Sequence, residues 1–210
     1  KVVIIQSKGP SFSAGHDLNE VKKSAKSEKK LLNLFKACSK MMTCIRYLPQ
    51  PVIACVDGIA AAAGCQLVAS CDLAFASKNS LFATPGVNIG LFCSTPMVAI
   101  SRKVLPKDMM YMLLSGDTIS ALEAEKIKLI NKVFTKKHLK KEVMNIAIKI
   151  TKKSNQSITI GKEAFYKQLD MHIEQVYNYT SKVMTKNMGF NDAKEGIQAF
   201  IEKRNPKWKN

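Results

Sequence analysis

A buried strand, an amphipathic helix and a second buried strand follow one another early in the chain, and this order constrains the fold. Residues 2–5 form a run of four β-branched apolar residues. From Glu28 to Leu48 apolar residues recur at intervals of three and four, which is the helical period. Residues 52–56 are a second short apolar run, stopped by Asp57 and a glycine. Strand, helix and strand in this order predict a parallel α/β unit.

The second part of the chain has a different character. From Thr95 onward helical patterns dominate, and they continue to a long predicted helix over residues 171–188. Near residue 135 the density of lysine rises and the strand-like runs stop. We therefore expect an α/β core over 1–135 and a helical region over 136–210. A domain that opens directly in a buried strand also predicts that the beginning of the fold is missing.

The charge of the chain limits the kinds of partner. Lys and Arg total 33 against 16 Asp and Glu, which gives a formal net charge of +17. This excess indicates a polyanionic partner, which leaves nucleic acid, an acidic membrane surface or a phosphorylated small molecule open. No apolar run approaches the ~20 residues of a membrane span, and no basic and apolar leader with a cleavage site is present.

The six cysteines predict buried thiols and not a disulfide framework. Most of them lie inside apolar runs, as Cys55 and Cys65 do, and a chain of this length does not require disulfides. The closest pairs lack the spacing of zinc ligands and have no histidine nearby. We expect no metal site and a reducing compartment.

Two loops of small residues follow the predicted strands, at residues 13–18 and 58–64. In parallel α/β units ligands gather at the carboxyl ends of strands, and N–H groups at helix starts favour negative charge. Two such loops side by side can direct two backbone donors at one oxygen, as in sites that stabilise an enolate or a tetrahedral oxyanion. The alternative interpretation is that both loops are only tight turns.

His16 is the one histidine near either loop. A base oriented by the Asp17 carboxylate is one interpretation of this pair, and a residue that merely fills a turn is the other. Ser-His-Asp catalysis is not supported, because no Gly-x-Ser-x-Gly elbow occurs, and no phosphate-binding Gly-rich loop is present. The sequence also lacks the pair of carboxylates that a hydratase or glycosidase places on either side of its substrate.

Seven segments, in order along nearly the whole chain, resemble the crotonase, or enoyl-CoA hydratase/isomerase, superfamily. They are residues 12–18, 51–58, 64–67, 71–74, 82–85, 119–124 and 195–200. The resemblance implies an α/β fold, a crotonase-like spiral of strand-strand-helix turns with a C-terminal helical trimerisation region. It also implies homotrimers, or hexamers built as dimers of trimers.

The resemblance places an acyl-CoA thioester in the two loops. In the family two backbone N–H groups form an oxyanion hole for the thioester oxygen, and these positions match His16 and Ala63. Two catalytic glutamates of the hydratases match Gln66 and Gly86, so hydratase activity is expected to be weak or lost. Asn88, Cys93, Asp17 or a residue of the missing start could supply another group. Further substrate-binding positions implied by the resemblance are Ala14, Asp17, Leu18, Gly64, Leu91 and Lys203.

The resemblance also suggests what the positive charge binds. Coenzyme A carries phosphates, and we expect the CoA thioester as substrate or ligand with no other cofactor. Candidates for these phosphates are Lys22, Lys23, Lys162 and, from a neighbouring subunit, Lys203. The implied role is fatty-acid metabolism in the mitochondrion, or otherwise in the cytoplasm.

Two other functions remain open. One is different acyl-CoA chemistry on the same oxyanion hole, such as isomerisation, decarboxylation or thioester hydrolysis. The other is RNA binding on a hydratase scaffold, through the basic segment 21–30. That segment has no aromatic residue on which a base could stack, so nucleic acid is the least favoured partner.

Overall fold

The computed structural model describes residues 1–209, and the chain folds there into seven β-strands and ten α-helices. The strands are β1 (Val3–Gln6), β2 (Val52–Val56), β3 (Ile59–Ala61), β4 (Leu73–Ser77), β5 (Leu81–Ala83), β6 (Thr118–Ser120) and β7 (Lys132–Phe134). The helices of the first part are α1 (Leu18–Ser24), α2 (Glu28–Tyr47), α3 (Ala63–Ser70), α4 (Ser94–Ile100), α5 (Pro106–Ser115) and α6 (Ala121–Lys126). The remaining helices are α7 (Lys136–Thr151), α8 (Asn155–Gln168), α9 (Ile173–Met188) and α10 (Asn191–Ile201).

The strands form two sheets. One has the order β1-β2-β4-β7, and in it β4 runs parallel to both β2 and β7. The other has the order β3-β5-β6, in which β3 and β5 are parallel and β6 is antiparallel to β5. All five residues of β2 are buried, as expected of a central parallel strand rich in β-branched residues. The predicted α/β class is confirmed.

The long helix α2 agrees with its sequence pattern to within one residue at its end. Met42 and Ile45 are buried, whereas the lysines of α2 are exposed. The helix stops at Tyr47 because prolines at positions 49 and 51 remove backbone donors and restrict the residues before them. This helix leads the chain directly into β2.

Three-residue strands account for most of the elements that the sequence did not predict. Helices were expected to dominate after Thr95, yet β6 and β7 each complete a sheet there. A strand of three residues is too short to show a period of two, so its pairing is decided by tertiary contacts. Ser120 caps α6, since its Oγ accepts a hydrogen bond from the Glu123 N–H at 3.1 Å.

The chain divides into two compact units. The larger one, Ile4–Arg46 with Val52–Asn145, contains nearly all of the two sheets and the helices α1 to α6. The other comprises Lys1–Val3, Tyr47–Pro51 and the residues from Ile146 onward, and it includes α8 to α10. The division of the chain into 1–135 and 136–210, with oligomerisation assigned to the second region, stays a prediction.

Across residues 1–209, none of the helices is both long enough and apolar enough to cross a lipid bilayer.

Candidate active site

The first loop is fixed against β3 by main-chain hydrogen bonds. The N–H groups of Phe12 and Ser13 both donate to the Ile59 carbonyl, at 2.9 and 3.0 Å. The Ser13 carbonyl in turn accepts from the Ala61 N–H at 2.9 Å. A Cβ at Gly64 would overlap this Ser13 carbonyl, so only glycine permits the close approach of α3. The two small-residue loops predicted from the sequence therefore meet.

The meeting of the loops places Gly15 directly against the start of α3. Gly15 has a φ of +96°, and a Cβ built on it would lie 3.1 Å from the Ala63 nitrogen. Ala63 is the first residue of α3, so its N–H has no acceptor within the helix. His16 follows Gly15, and the two predicted amide donors, His16 and Ala63, line the same cavity.

The peptide that carries the Ala63 N–H is held in an unusual conformation. Ala62 has φ 49° and ψ −117°, a combination that L-residues rarely adopt and that costs about 1–3 kcal/mol. Its N–H donates to the Ala83 carbonyl at 3.0 Å, and its carbonyl accepts from the Gln66 N–H at 3.0 Å. These two bonds compensate for the strain and fix the direction of the adjacent amide.

The cavity beside these amides has a volume of about 360 Å³, within the ~300–1,000 Å³ range of small-molecule sites. One wall is formed by α2, and the periodicity of α2 predicted its apolar face but gave no sign that this face borders a cavity. Leu67 of α3 adds a further apolar contact. The residues of α2 that line the cavity are Leu34, Ala37, Cys38, Met41 and Met42.

The two positions predicted to match the hydratase glutamates contain no acid. Gln66 is 4% exposed, and its Oε1 has no hydrogen-bond partner among residues 1–209. Gly86 is buried, and a Cβ there would lie 3.0 Å from the Cys93 Sγ and 3.0 Å from the Leu91 carbonyl oxygen. A larger side chain at Gly86 therefore requires the Cys93 thiol or the Leu91 carbonyl to shift by a few tenths of an ångström.

The nearby carboxylates are engaged elsewhere. Asp57 forms an ion pair with Lys136 at 3.2 Å, and Asp72 accepts from the Val52 N–H at 2.6 Å. Asp17 caps α1, where its Oδ1 accepts from the Asn19 N–H at 2.8 Å. No aspartate or glutamate is among the residues that line the cavity.

The interpretation of His16 as a base oriented by Asp17 is therefore wrong. The His16 Nε2 is buried and has no partner within residues 1–209, and the ring packs edge-on against Phe35 with centroids 5.5 Å apart. The Asp17 side chain caps the following helix instead. Aspartate is common at this position because its carboxylate accepts a hydrogen bond from an N–H group that has no partner in the first turn.

None of the other predicted substrate-binding residues is among the residues that line this cavity. Leu18 is exposed at the start of α1, and Lys203 follows α10 in the second compact unit. Lys162 donates from its Nζ to the Gln50 carbonyl at 2.9 Å. The residues predicted to bind substrate that are not part of this cavity's lining are Ala14, Asp17, Leu18, Gly64, Leu91 and Lys203.

The thiols near the site are protonated at neutral pH. Burial raises the pKa of the Cys65 thiol to about 12, and the neighbouring Cys93 contributes in the same direction. Burial also raises the pKa of Cys38 in the cavity wall. A thiolate is the nucleophilic form, so these cysteines are poorly suited to nucleophilic catalysis.

Within residues 1–209 no group of three potential metal ligands comes together.

A family model described as "Enoyl-CoA hydratase/isomerase" matches residues 1–210. The chain belongs to this family. The mouse (Mus musculus) protein named "Enoyl-CoA hydratase domain-containing protein 3, mitochondrial" is 49% identical over 208 residues, which are 99% of this chain and 69% of the relative. The human relative of the same name is 50% identical over 208 residues, 99% of this chain and 68% of the relative.

Solved structures of other family members have the same fold. The crystal structure of an enoyl-CoA hydratase from Mycobacterium smegmatis superimposes with a TM-score of 0.97 at 43% identity, covering 100% of this chain and 81% of that one. The crystal structure of the human domain-containing protein 3 gives a TM-score of 0.96 at 50% identity, covering 99% and 82%. The predicted crotonase-like fold is confirmed, as is the resemblance to the enoyl-CoA hydratase/isomerase superfamily.

Proposed function

We propose that this family member binds acyl-CoA thioesters and holds the thioester oxygen between the backbone N–H groups of His16 and Ala63. The observation that carries this proposal is that both residues line one cavity, with Gly15 packed against the Ala63 nitrogen. Fixed backbone donors in an apolar pocket stabilise negative charge that develops on such an oxygen. Ala62 supports the same role: its backbone is strained, but hydrogen bonds at both its N–H and its carbonyl hold it in place and fix the direction of the Ala63 N–H.

We propose further that hydratase activity is weak or absent. Addition of water across a double bond needs groups that give and take protons, and each such group contributes about 10²–10⁴-fold. The Gln66 amide can orient a water molecule but cannot accept its proton, and Gly86 offers no side chain. The lack of any carboxylate in the cavity lining supports this proposal.

The phosphates of coenzyme A are the proposed partners of part of the +17 net charge. Lys22 and Lys23 are exposed on α1, which follows the first loop directly. Lys162 is a weaker candidate, because its Nζ already donates to a main-chain carbonyl. Lys203 would act from a neighbouring subunit.

The proposal is tested by filling the space in front of the Ala63 N–H. The Gly15→Ala variant would place a methyl group 3.1 Å from that nitrogen, so binding of butyryl-CoA measured by calorimetry should weaken by roughly tenfold or more. Gly9→Ala is the matched control, since Gly9 also has positive φ, +138°, but no atom lies within 4 Å of the added Cβ. Equal affinity of the Gly15→Ala variant and the wild type would refute the oxyanion-hole assignment.

We also propose that the protein assembles as a homotrimer or hexamer through its helical region. Large apolar side chains are exposed there, with Tyr177 and Met184 on α9 and Phe200 and Ile201 on α10. Phe200 is 85% exposed in the single chain, which is costly unless another surface covers it. Light scattering of the wild type and of a Phe200→Asp variant tests the proposal, which fails if the wild type is monomeric.

A mitochondrial location is proposed on the names of the relatives alone. The mouse and human proteins at about half identity are both named mitochondrial. Imaging of the full-length protein with organelle markers tests this location, and a purely cytosolic signal would contradict it.

A further inference from the structure

Two buried serine hydroxyls form a chain of hydrogen bonds inside the larger compact unit. Ser77 ends β4, Ser80 stands directly before β5, and both residues are 0% exposed. Their Oγ atoms are 2.9 Å apart, and the Ser80 Oγ donates to the Val56 carbonyl at 3.0 Å. A hydroxyl has only one proton, and Ser80 gives its proton to Val56, so Ser77 is the donor in the bond between the two serines.

These bonds hold the two places at which the chain passes from one sheet to the other. Val56 is the last residue of β2, and the turn after it leads into β3. The segment from Ser77 to Ser80 leads from β4 into β5 in the same way. The main chain adds a longer bond between the two crossings, from the Leu81 N–H to the Gly58 carbonyl at 3.4 Å. The Ser80 side chain therefore fixes one crossing against the other.

The two strands that begin at these crossings end at the peptide of the proposed oxyanion hole. β3 and β5 pair over three residues, with Ala61 opposite Ala83 at the far end. Ala62 follows β3 and donates its N–H to the Ala83 carbonyl at 3.0 Å, and Ala63 comes next. A parallel pair of three residues has few hydrogen bonds of its own, so the placement of one strand against the other depends on contacts at its ends.

We infer that the Ser80 hydroxyl positions the Ala63 N–H for a bound thioester oxygen, because it fixes the start of β3 against the start of β5. The inference rests on the proposed acyl-CoA binding and adds to it a positioning residue outside the cavity, since neither serine lines it. Burial of a hydroxyl is unfavourable unless it is hydrogen-bonded, and both buried hydroxyls are used at this corner. Alanine at position 80 would remove the donor to Val56 and with it the link between the crossings.

The test compares two ligands that differ only at the thioester carbonyl. Butyryl-CoA and its thioether analogue S-butyl-CoA, which has a methylene group in place of the carbonyl, are titrated into the protein by calorimetry. The ratio of their affinities reports the hydrogen bonds to the thioester oxygen, because the contacts of the acyl chain and of coenzyme A are shared. We expect the wild type to prefer butyryl-CoA roughly tenfold, and the Ser80→Ala variant to lose at least about threefold of that preference.

Ser77→Ala is the matched control, since it removes an equally buried hydroxyl but leaves the bond from Ser80 to Val56 in place. We expect its preference for butyryl-CoA to stay within about a factor of two of the wild type. The Ser80→Cys variant keeps nearly the volume of serine with only a weak donor, and it replaces Ser80→Ala if that variant does not fold. An unchanged preference in the Ser80 variant would overturn the inference. An equal loss of preference in the Ser77 and Ser80 variants would also overturn it, because that result indicates a general loosening of the core.

The same titrations separate this inference from the proposed function. A wild type that binds neither ligand, or binds both equally, would refute the proposed oxyanion hole and, with it, the inference. A wild type that prefers butyryl-CoA, together with Ser80 variants that weaken both ligands by the same factor, would overturn the inference alone and leave the proposed function intact.

Discussion

Restoring a carboxylate at position 66 should increase hydration of crotonyl-CoA. Gln66→Glu changes an amide to a carboxylate of nearly the same shape, so the packing of this 4% exposed side chain is retained. The new group can accept a proton from water, which predicts a gain of about 10²-fold, the lower end for one general base because position 86 still lacks a side chain. The measurement is the loss of enoyl thioester absorbance under saturating substrate.

Burial gives the predicted gain a characteristic dependence on pH. A glutamate at this site has few polar neighbours, so desolvation should raise the pKa of its carboxyl above the ordinary value. The ionised form is the base, and the rate of the variant should therefore rise with pH through that raised pKa. Gln66→Met is the matched control, since it keeps the volume of the side chain without any proton acceptor and should gain nothing.

The second glutamate position should not be restored by one substitution. The Cβ of a Gly86→Glu variant would lie 3.0 Å from both the Cys93 Sγ and the Leu91 carbonyl, and we expect a loss of stability of about 1–3 kcal/mol. The reasoning about both positions would be refuted by a wild-type protein that already hydrates crotonyl-CoA rapidly. A Gln66→Glu protein that binds the substrate without any gain in rate would refute the role of position 66.

Three further predictions concern stability and reactivity. Gly58 has positive φ, and the Cβ of a Gly58→Ala variant would overlap the Pro10 main-chain carbonyl. Thermal or urea unfolding should show a loss in the free energy of unfolding of roughly 2 kcal/mol or more. The Arg204 guanidinium lowers the pKa of Glu195 from 4.5 to about 2, so the ionised pair stabilises the fold at neutral pH. This contribution is lost as pH falls from about 4.5 through about 2. The Glu195→Gln variant should therefore be less stable than the wild type at neutral pH, and the difference in their free energies of unfolding should become smaller in acid. A thiol reagent at pH 7 should modify exposed Cys44 and leave Cys65 unmodified, because burial raises the pKa of Cys65 to about 12, and early labelling of Cys65 by mass spectrometry would contradict this.

The sequence predicted the elements with strong periodicity and the segments that meet at the site. The helix from Glu28 and the strand over 52–56 were predictable, because twenty residues of helical period and a run of β-branched residues leave few alternatives. The approach of the two loops was one of two interpretations that the residues left open, and the structure favours it over two separate tight turns.

Other features of the site depend on contacts that no local pattern encodes. The crowding around Gly86 results from the turn that brings Cys93, seven residues later, back onto it. The use of α2 as a cavity wall depends on how far the helix stands from α3, which its apolar period does not specify. The choice between the two interpretations of His16 and Asp17 also depended on such a contact, because the Asp17 carboxylate has a closer partner in the following turn.

The contact between Gly64 and the Ser13 carbonyl has a consequence for how such a scaffold diverges. The proposed thioester clamp consists of the backbone N–H groups of His16 and Ala63 alone, and the contact of Gly64 with the Ser13 carbonyl beside it leaves no room for a β-carbon. Point substitutions can therefore exchange the reactive groups over the acyl carbons while the clamp is inherited unchanged. A family member that loses its catalytic carboxylates would still keep the proposed binding site for coenzyme A esters. Single substitutions around that site could then give it a different reaction or a role in ligand sensing alone.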